Sequence, residues 1–512
     1  MTRRGAPIRR YCARRGSSRA TSALALALLL AGCAVGPDFV APPPPDVTAY
    51  TPEPFKSTAT ASAGSGEGQR LDSARDLPGE WWTLFHSRAL NALVERALAA
   101  NADLQAAQAA LRVARENVYA QQGALFPAVD ANVGAIRQLP AIGSPSDVGA
   151  SAPAFNLFTA QLNVSYSPDV FGGTRRSIEA LAAQADLQRF ALEATYLTLT
   201  SNLAGAAVQE ASLRGQIAAT QSIIKIETDV LDLLRKQRGL GAVADADVVA
   251  QEAALAQSEQ ALPPLRKQLA QQRDLIAALI GSFPSQAPSE QFVLSGLRLP
   301  RDLPVSLPSR LVEQRPDIRA AEANLHAASA QIGVAIANRL PNITLSASAG
   351  STAIAVDQLF TPGNNFWNIA SAATQPIFHG GTLLHRELAA KATFDQATAQ
   401  YRSTVITAFQ NVADALHAIQ ADAVALQKAA ASEKAAAKSL EISRHRLELG
   451  DINYISLLNA QQTYQQALVS LVQARAARYA DTVALFQVLG GGWWNRSDVE
   501  PERPLTISDV LQ

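Results

Sequence analysis

One residue in this sequence stands where chemistry is done on the protein itself. Cys33 closes the run Leu30-Ala31-Gly32-Cys33, which resembles the bacterial lipobox, where the thiol is acylated and cleavage leaves the cysteine as the new amino terminus. The preceding residues read as a secretion signal: Arg3, Arg4, Arg9, Arg10, Arg14, Arg15 and Arg19 precede an apolar run from Ala23 to Ala31. That run is too short to span a bilayer. Residues 1–32 are therefore expected to be removed and Cys33 to carry diacylglycerol and N-acyl lipid, several chains being what stable anchoring needs. The other cysteine, Cys12, lies in the removable part, so the mature chain has no disulfide partner. Ala34, in place of an aspartate, is compatible with sorting to an outer membrane.

Elsewhere the residue types that do chemistry are not assembled. The six histidines, His86, His326, His379, His385, His417 and His445, are dispersed and none has metal-ligand spacing. There is no phosphate loop, nucleotide fingerprint or nucleophile motif, so neither an enzyme nor a cofactor beyond the covalent lipid is expected. Lys plus Arg and Asp plus Glu both total 44, which excludes the basic footprint of a nucleic-acid binder.

The elements that carry these residues are repeated. After a Pro-rich then Ser/Gly-rich lead-in from Pro42 to about Gln69, Asp103, Leu104, Leu111 and Pro127 recur at one offset as Asp317, Ile318, Leu325 and Pro341. Pro168, Gly172, Gly173 and Thr174 recur as Pro376, Gly380, Gly381 and Thr382, and Gly241 and Gly281 as Gly450 and Gly490. Each half reads as helix, two strands, long helix, turn, helix. Apolar spacing of three and four predicts helices near 88–122, 173–237 and 245–280, then 308–339, 381–447 and 453–489. A helix of about 65 residues is on the order of 100 Å long, more than a globular domain holds.

Between the helices the period changes to two. Phe158, Ala160, Leu162, Val164 and Tyr166 alternate with Thr159, Gln161, Asn163 and Ser165; Ile343, Leu345, Ala347 and Ala349 alternate with small polar residues; Val129, Ala131, Val133 and Ala135 form a third such set. A fourth, less regular strand covers about Asn365 to Gln375. About ten residues with one apolar and one polar face match a membrane-barrel strand, and the loops at 138–154 and 352–364 suit its external side. Four strands cannot close a barrel in lipid, where every backbone group must be paired, so the barrel has to be shared between chains.

The chain resembles the outer-membrane-factor family of TolC-like efflux tunnels, and within it the NodT-type lipoproteins. The resemblance rests on Val35-Gly36-Pro37-Asp38-Phe39 after Cys33, the Trp81 to Phe85 run, Arg315-Pro316-Asp317-Ile318, and Gln375-Pro376-Ile377-Phe378 with Gly380-Gly381. It implies a mainly α fold with a transmembrane β-barrel: a homotrimer with a long helical periplasmic barrel and four strands per chain in a shared twelve-stranded β-barrel. The chain then divides into the signal peptide, a lipidated extended segment (33–85), repeat 1 (86–290), an equatorial linker (291–307), repeat 2 (308–490) and an equatorial tail (491–512).

By the same resemblance the protein is the outer-membrane component of a tripartite efflux pump, a passive exit tunnel extending into the periplasm. Its partners are a periplasmic adaptor, an inner-membrane transporter and outer-membrane lipid. Adaptor contact falls on the turns Leu240-Gly241-Ala242 and Leu449-Gly450; Asp245, Asp247, Arg446 and Asp451 fall at the periplasmic aperture. Ser456 and Asn459 stand where the family often has acids, and Leu447 where it has tyrosine. Asp245 and Asp247 also read as helix-start residues. Trp81-Trp82 and Trp493-Trp494 are expected at the equatorial belt, and Trp367 in an aromatic girdle. Two other functions share parts of this pattern: a type I secretion exit duct and a structural trimeric lipoprotein stalk.

Overall fold

The computed structural model describes residues 34–53, 57–62, 64, 66–72, 75–139 and 154–499. Cys33, Cys12, most of the 138–154 loop and the end of the tail lie outside them.

Repeat 1 contains α1 (Arg88–Ala100), α2 (Ala102–Gly123), strands β2 (Ala128–Gln138) and β3 (Phe155–Tyr166), then α3 (Gly173–Gly239), α4 (Asp245–Gln260) and α5 (Leu262–Leu279). Repeat 2 contains α6 (Pro308–Gln314), α7 (Pro316–Ala337), strands β5 (Asn342–Ala353) and β6 (Asn365–Thr374), then α8 (Thr382–Glu448) and α9 (Tyr454–Val488). Two three-residue strands outside the repeats, β1 (Arg70–Asp72) and β4 (Asp302–Pro304), pair in parallel and tie the amino-terminal segment to the linker.

Three predicted helices are each two. Asn101 ends α1 and caps α2, its side chain accepting from Leu104 N at 3.0 Å and donating to Leu279 O at 3.0 Å. Pro263 and Pro264, which lack a backbone donor, start α5 after the break at Ala261, and Pro316 starts α7 after the break at Arg315. Apolar spacing runs on through all three breaks and hides them. The long helices do not break: α3 and α8 are each 67 residues, about 100 Å at 1.5 Å per residue.

Near the sheet the helices pack in the order α2, α3, α7, α8; towards the far tips the order is α4/α5, α3, α9, α8. Alanine-rich faces allow close approach, as at Gly215 of α3, where a Cβ would lie 2.8 Å from Val472 of α9. The main core sits at mid-height, where Trp81 meets Phe486 (centroids 5.7 Å apart) and Phe85 meets Tyr479 (6.3 Å). Trp493 donates its indole N–H to Gln314 O at 2.6 Å, and Trp494 packs against it edge-on.

The four longer strands form one antiparallel sheet in the order β2-β3-β5-β6. Its register sorts the faces: Val129, Val164, Ala347 and Ile369 lie in one row, and Ala131, Leu162, Ala349 and Trp367 in another, all on the apolar side. The row between them is Asp130, Asn163, Ser348 and Asn368. Trp367 is 77% exposed on the apolar side. Among the described residues, strands β2 and β6 each lack a partner on one edge, and nearly all their own residues are exposed. No helix among the described residues is long and apolar enough to cross a membrane.

Candidate functional site: the helical tips and the sheet

The two turns at the ends of the long helices share one backbone. Gly241 has φ +73° and Gly450 φ +74°, the left-handed region that a β-carbon disfavours. Ala242 N donates to Gln237 O and Gly241 N to Arg238 O, both at 2.9 Å; Asp451 N donates to Arg446 O at 2.9 Å and Gly450 N to Leu447 O at 3.0 Å. This paired pattern satisfies carbonyls that a helix end would otherwise leave open. No atom lies within 4 Å of where a Cβ would sit on either glycine, so glycine is needed for its φ rather than for space. Beside them Leu240 and Leu449 are 85% and 70% exposed, so each tip presents a bare leucine.

Charge is arranged differently at the two tips. Arg446 pairs with Asp451 at 3.1 Å, inside the second turn. Asp245 pairs with Arg238 at 3.2 Å, across the first turn, and not with Arg446. Asp245 and Asp247 occupy the first turn of α4, where a helix dipole favours carboxylates. Both ion pairs are exposed and within one chain, so each contributes under about 1 kcal/mol to stability.

Just above the tips lies a buried polar relay that the sequence did not announce. The Tyr454 hydroxyl, at the start of α9, donates to Gln251 Oε1 of α4, and Gln251 Nε2 donates to Glu227 O of α3 at 2.7 Å. Gln251 and Glu227 are almost fully buried, and burial holds the Glu227 carboxyl above its ordinary range. Their spacing matches ordinary core positions, so only the polar residue types hinted at the link. At mid-height, buried Arg478 of α9 donates to Gln69 Oε1 at 2.8 Å and to Glu67 O at 3.2 Å. One helical turn on, Asp481 is pushed up to about 7, first by burial and then by Asp422 of α8.

Residues 93–282 and 307–491, which take in both repeats, match the family model described as "Outer membrane efflux protein". The chain belongs to that family. This efflux channel protein is 32% identical over 425 residues to the pyoverdine export outer membrane protein OpmQ of Pseudomonas aeruginosa, covering 81% of this chain and 87% of that one. It is 30% identical over 506 residues to the toluene efflux pump outer membrane protein TtgF of Pseudomonas putida, covering 95% of this chain and 98% of that one. The solved outer-membrane channel OprN superposes on 90% of this chain and all of its own with a TM-score of 0.81 and 27% identity. The efflux channel is thus an outer-membrane protein with a TolC-like fold, a helical barrel topped by a sheet, and the outer-membrane component of an efflux pump.

Proposed function

We propose that three copies of this chain close a twelve-stranded barrel through their free β2 and β6 edges and form a passive exit tunnel for small molecules. The carrying observation is the sheet: four strands, one apolar face, both edges open, mounted on two helices of about 100 Å. An open edge in lipid leaves backbone groups unpaired, and pairing β2 of one copy with β6 of the next removes every edge. Dimers would make eight strands; the trimer follows from the family likeness.

In this reading the bare leucines and glycine turns at Leu240-Gly241-Ala242 and Leu449-Gly450 dock a periplasmic adaptor, which links the tunnel to an inner-membrane transporter. Asp245, Asp247, Arg446 and Asp451 ring the periplasmic aperture. Three like carboxylates on a narrow axis favour cations. Cys33 carries the acyl anchor, no other cofactor is required, and the chain catalyses no reaction: the transporter supplies the energy. The names of OpmQ and TtgF, which concern pyoverdine and toluene, favour small-molecule cargo over secreted protein.

Native mass spectrometry and single-channel recording of the detergent-extracted protein test this reading. The expected result is a trimer with small, cation-biased, flickering conductance. A monomer, or a trimer that conducts under no condition even with altered tips, overturns it in favour of a structural stalk.

A further inference from the structure

The turn between β5 and β6, at the end of the sheet away from the helices, folds to one side of the sheet. Successive residues of a strand face opposite sides, so Ser351 shares the apolar side with Ala347 and Ala349. Thr352 faces the polar side, its hydroxyl 3.5 Å from that of Thr159. Ser351 is only 1% exposed, and its hydroxyl meets the carbonyl oxygens of Leu359 and, at 3.0 Å, Asn364. The turn therefore leans over the apolar side.

It is also a folded knob rather than a slack loop. Leu359 N donates to Val356 O at 3.2 Å, Thr361 N to Gln358 O at 3.1 Å and Asn364 N to Thr361 O at 3.2 Å. The Asn364 side chain donates to Gln358 O at 2.8 Å, and Gly363, at φ +100°, makes the bend that a β-carbon resists. What the knob leaves bare is apolar: Ile354, Val356 and Phe360 are 63%, 64% and 76% exposed, and Asp357 is the one charged residue of 354–364. On the same side of the sheet, Trp367 and Ile369 of β6 are as exposed, at 77% and 76%. Knob and strand thus offer the same kind of surface within a few residues of each other.

We propose that residues 354–364 form a membrane foot, with Val356 and Phe360 seated among lipid acyl chains just below their headgroups and outside the barrel wall. This rests on the reading of the sheet's apolar side as the one that faces lipid. Lipid is the occupant that fits. The knob continues the side of the sheet that meets hydrocarbon, and it has no cationic side chain to hold an acidic partner. Its single carboxylate, on Asp357, is costly in hydrocarbon and keeps the foot at the interface, the level at which aromatic rings such as Trp367 and Phe360 are also at home. A knob seated there braces the outer rim of the barrel and leaves the polar side of this hairpin clear for cargo.

The test puts trifluoromethylphenylalanine in place of Phe360 in the full-length protein, held in phosphatidylcholine nanodiscs. Fluorine relaxation is then recorded with two agents, a lipid carrying a nitroxide near its headgroup and a water-soluble gadolinium chelate. The expected result is several-fold faster relaxation with the nitroxide lipid and little change with the chelate. Faster relaxation with the chelate alone, as for a turn lying over the mouth, overturns the proposal. So does no effect of either agent, as for a turn covered by a neighbouring copy. The same probe in place of Ile369 separates the foot from the reading beneath it. If lipid relaxes the probe there but not at Phe360, the sheet faces the bilayer and the foot alone fails; if lipid relaxes neither, the lipid-facing reading of the apolar side fails with it.

Discussion

The helices α3 and α8 are copies in length and in the turn that ends them, yet they live in different surroundings. Between them α3 lies in the middle of the chain's helices, contacted by α2 and α7 near the sheet and by α4, α5 and α9 beyond. Among its large apolar residues only Leu233 is exposed. In contrast α8 lies at the end of the row with α7 and α9 as its main neighbours, and Leu388, Ile406, Val424 and Ile442 stand exposed on it. Each is about five helical turns from the next, so the four form one line. Duplication copied length, strand pattern and turn; place in the row decided which faces the chain itself covers.

The largest effect should come from breaking the uncovered line. If the proposed trimer buries this line, a charge at Ile406 or Val424 (I406D, V424D) puts an unpaired carboxylate into the contact between copies, at a cost on the order of 3 kcal/mol per interface, or about 100-fold in association. Analytical ultracentrifugation should then show monomer, whereas the exposed α3 site Gln221 should take the same charge (Q221D) and leave the trimer intact. Equal loss from both would mean that α3 is not the interior helix.

At the tips, by contrast, the two helices are alike. Gly241→Val and Gly450→Val each force a β-branched residue into positive φ at about 1–2 kcal/mol. Hydrogen exchange should report equal local loosening at both turns; a clear inequality would show that one tip is braced by contacts the other lacks.

A smaller effect concerns pH. Asp481 faces Asp422 of α8, with Arg478 on its own helix; on α3 the buried Glu227 has the like charge of Glu259 on α4 beside it and is raised in the same direction. Its folded value of about 7 lies above the ordinary carboxylate value, so the protonated form is the one favoured by folding. This stabilisation is full below about pH 4 and is lost as pH rises through 7. Melting temperature should therefore fall between pH 5 and 8, and Asp481→Asn should flatten that slope; an unchanged slope would dissociate the pair from stability. Smallest of all, Arg446→Ala should leave stability within about 0.5 kcal/mol, since the pair with Asp451 is exposed, while raising conductance in planar bilayers. Unchanged conductance removes Arg446 from the aperture.

What could be read from the chain beforehand was what repeats locally. The alternation around Leu162 and Ala347 located the strands because successive side chains point to opposite faces only in extended backbone, so a two-residue period with one polar face excludes a helix. Gly241 and Gly450 located the turns because glycine interrupts two long apolar patterns at matching places. The breaks at Ala261 and Arg315 were marked only by the prolines that follow, with apolar spacing continuing across them. The Arg478–Gln69 bond was invisible, since it joins residues hundreds of positions apart and neither partner has an unusual neighbourhood in sequence. Tyr454 could not be distinguished from an ordinary core tyrosine until its hydroxyl met Gln251.

In the proposed trimer the open edges of β2 and β6 also govern the time before assembly. A newly exported subunit is a strand ladder missing both outer rungs, and any extended peptide nearby can supply one. Correct pairing is therefore a race: it quickens with the local crowding of sister subunits, while spurious pairing quickens with everything else in transit. Confining newcomers to a surface raises the first rate without raising the second, so where a subunit waits matters as much as how firmly it finally holds.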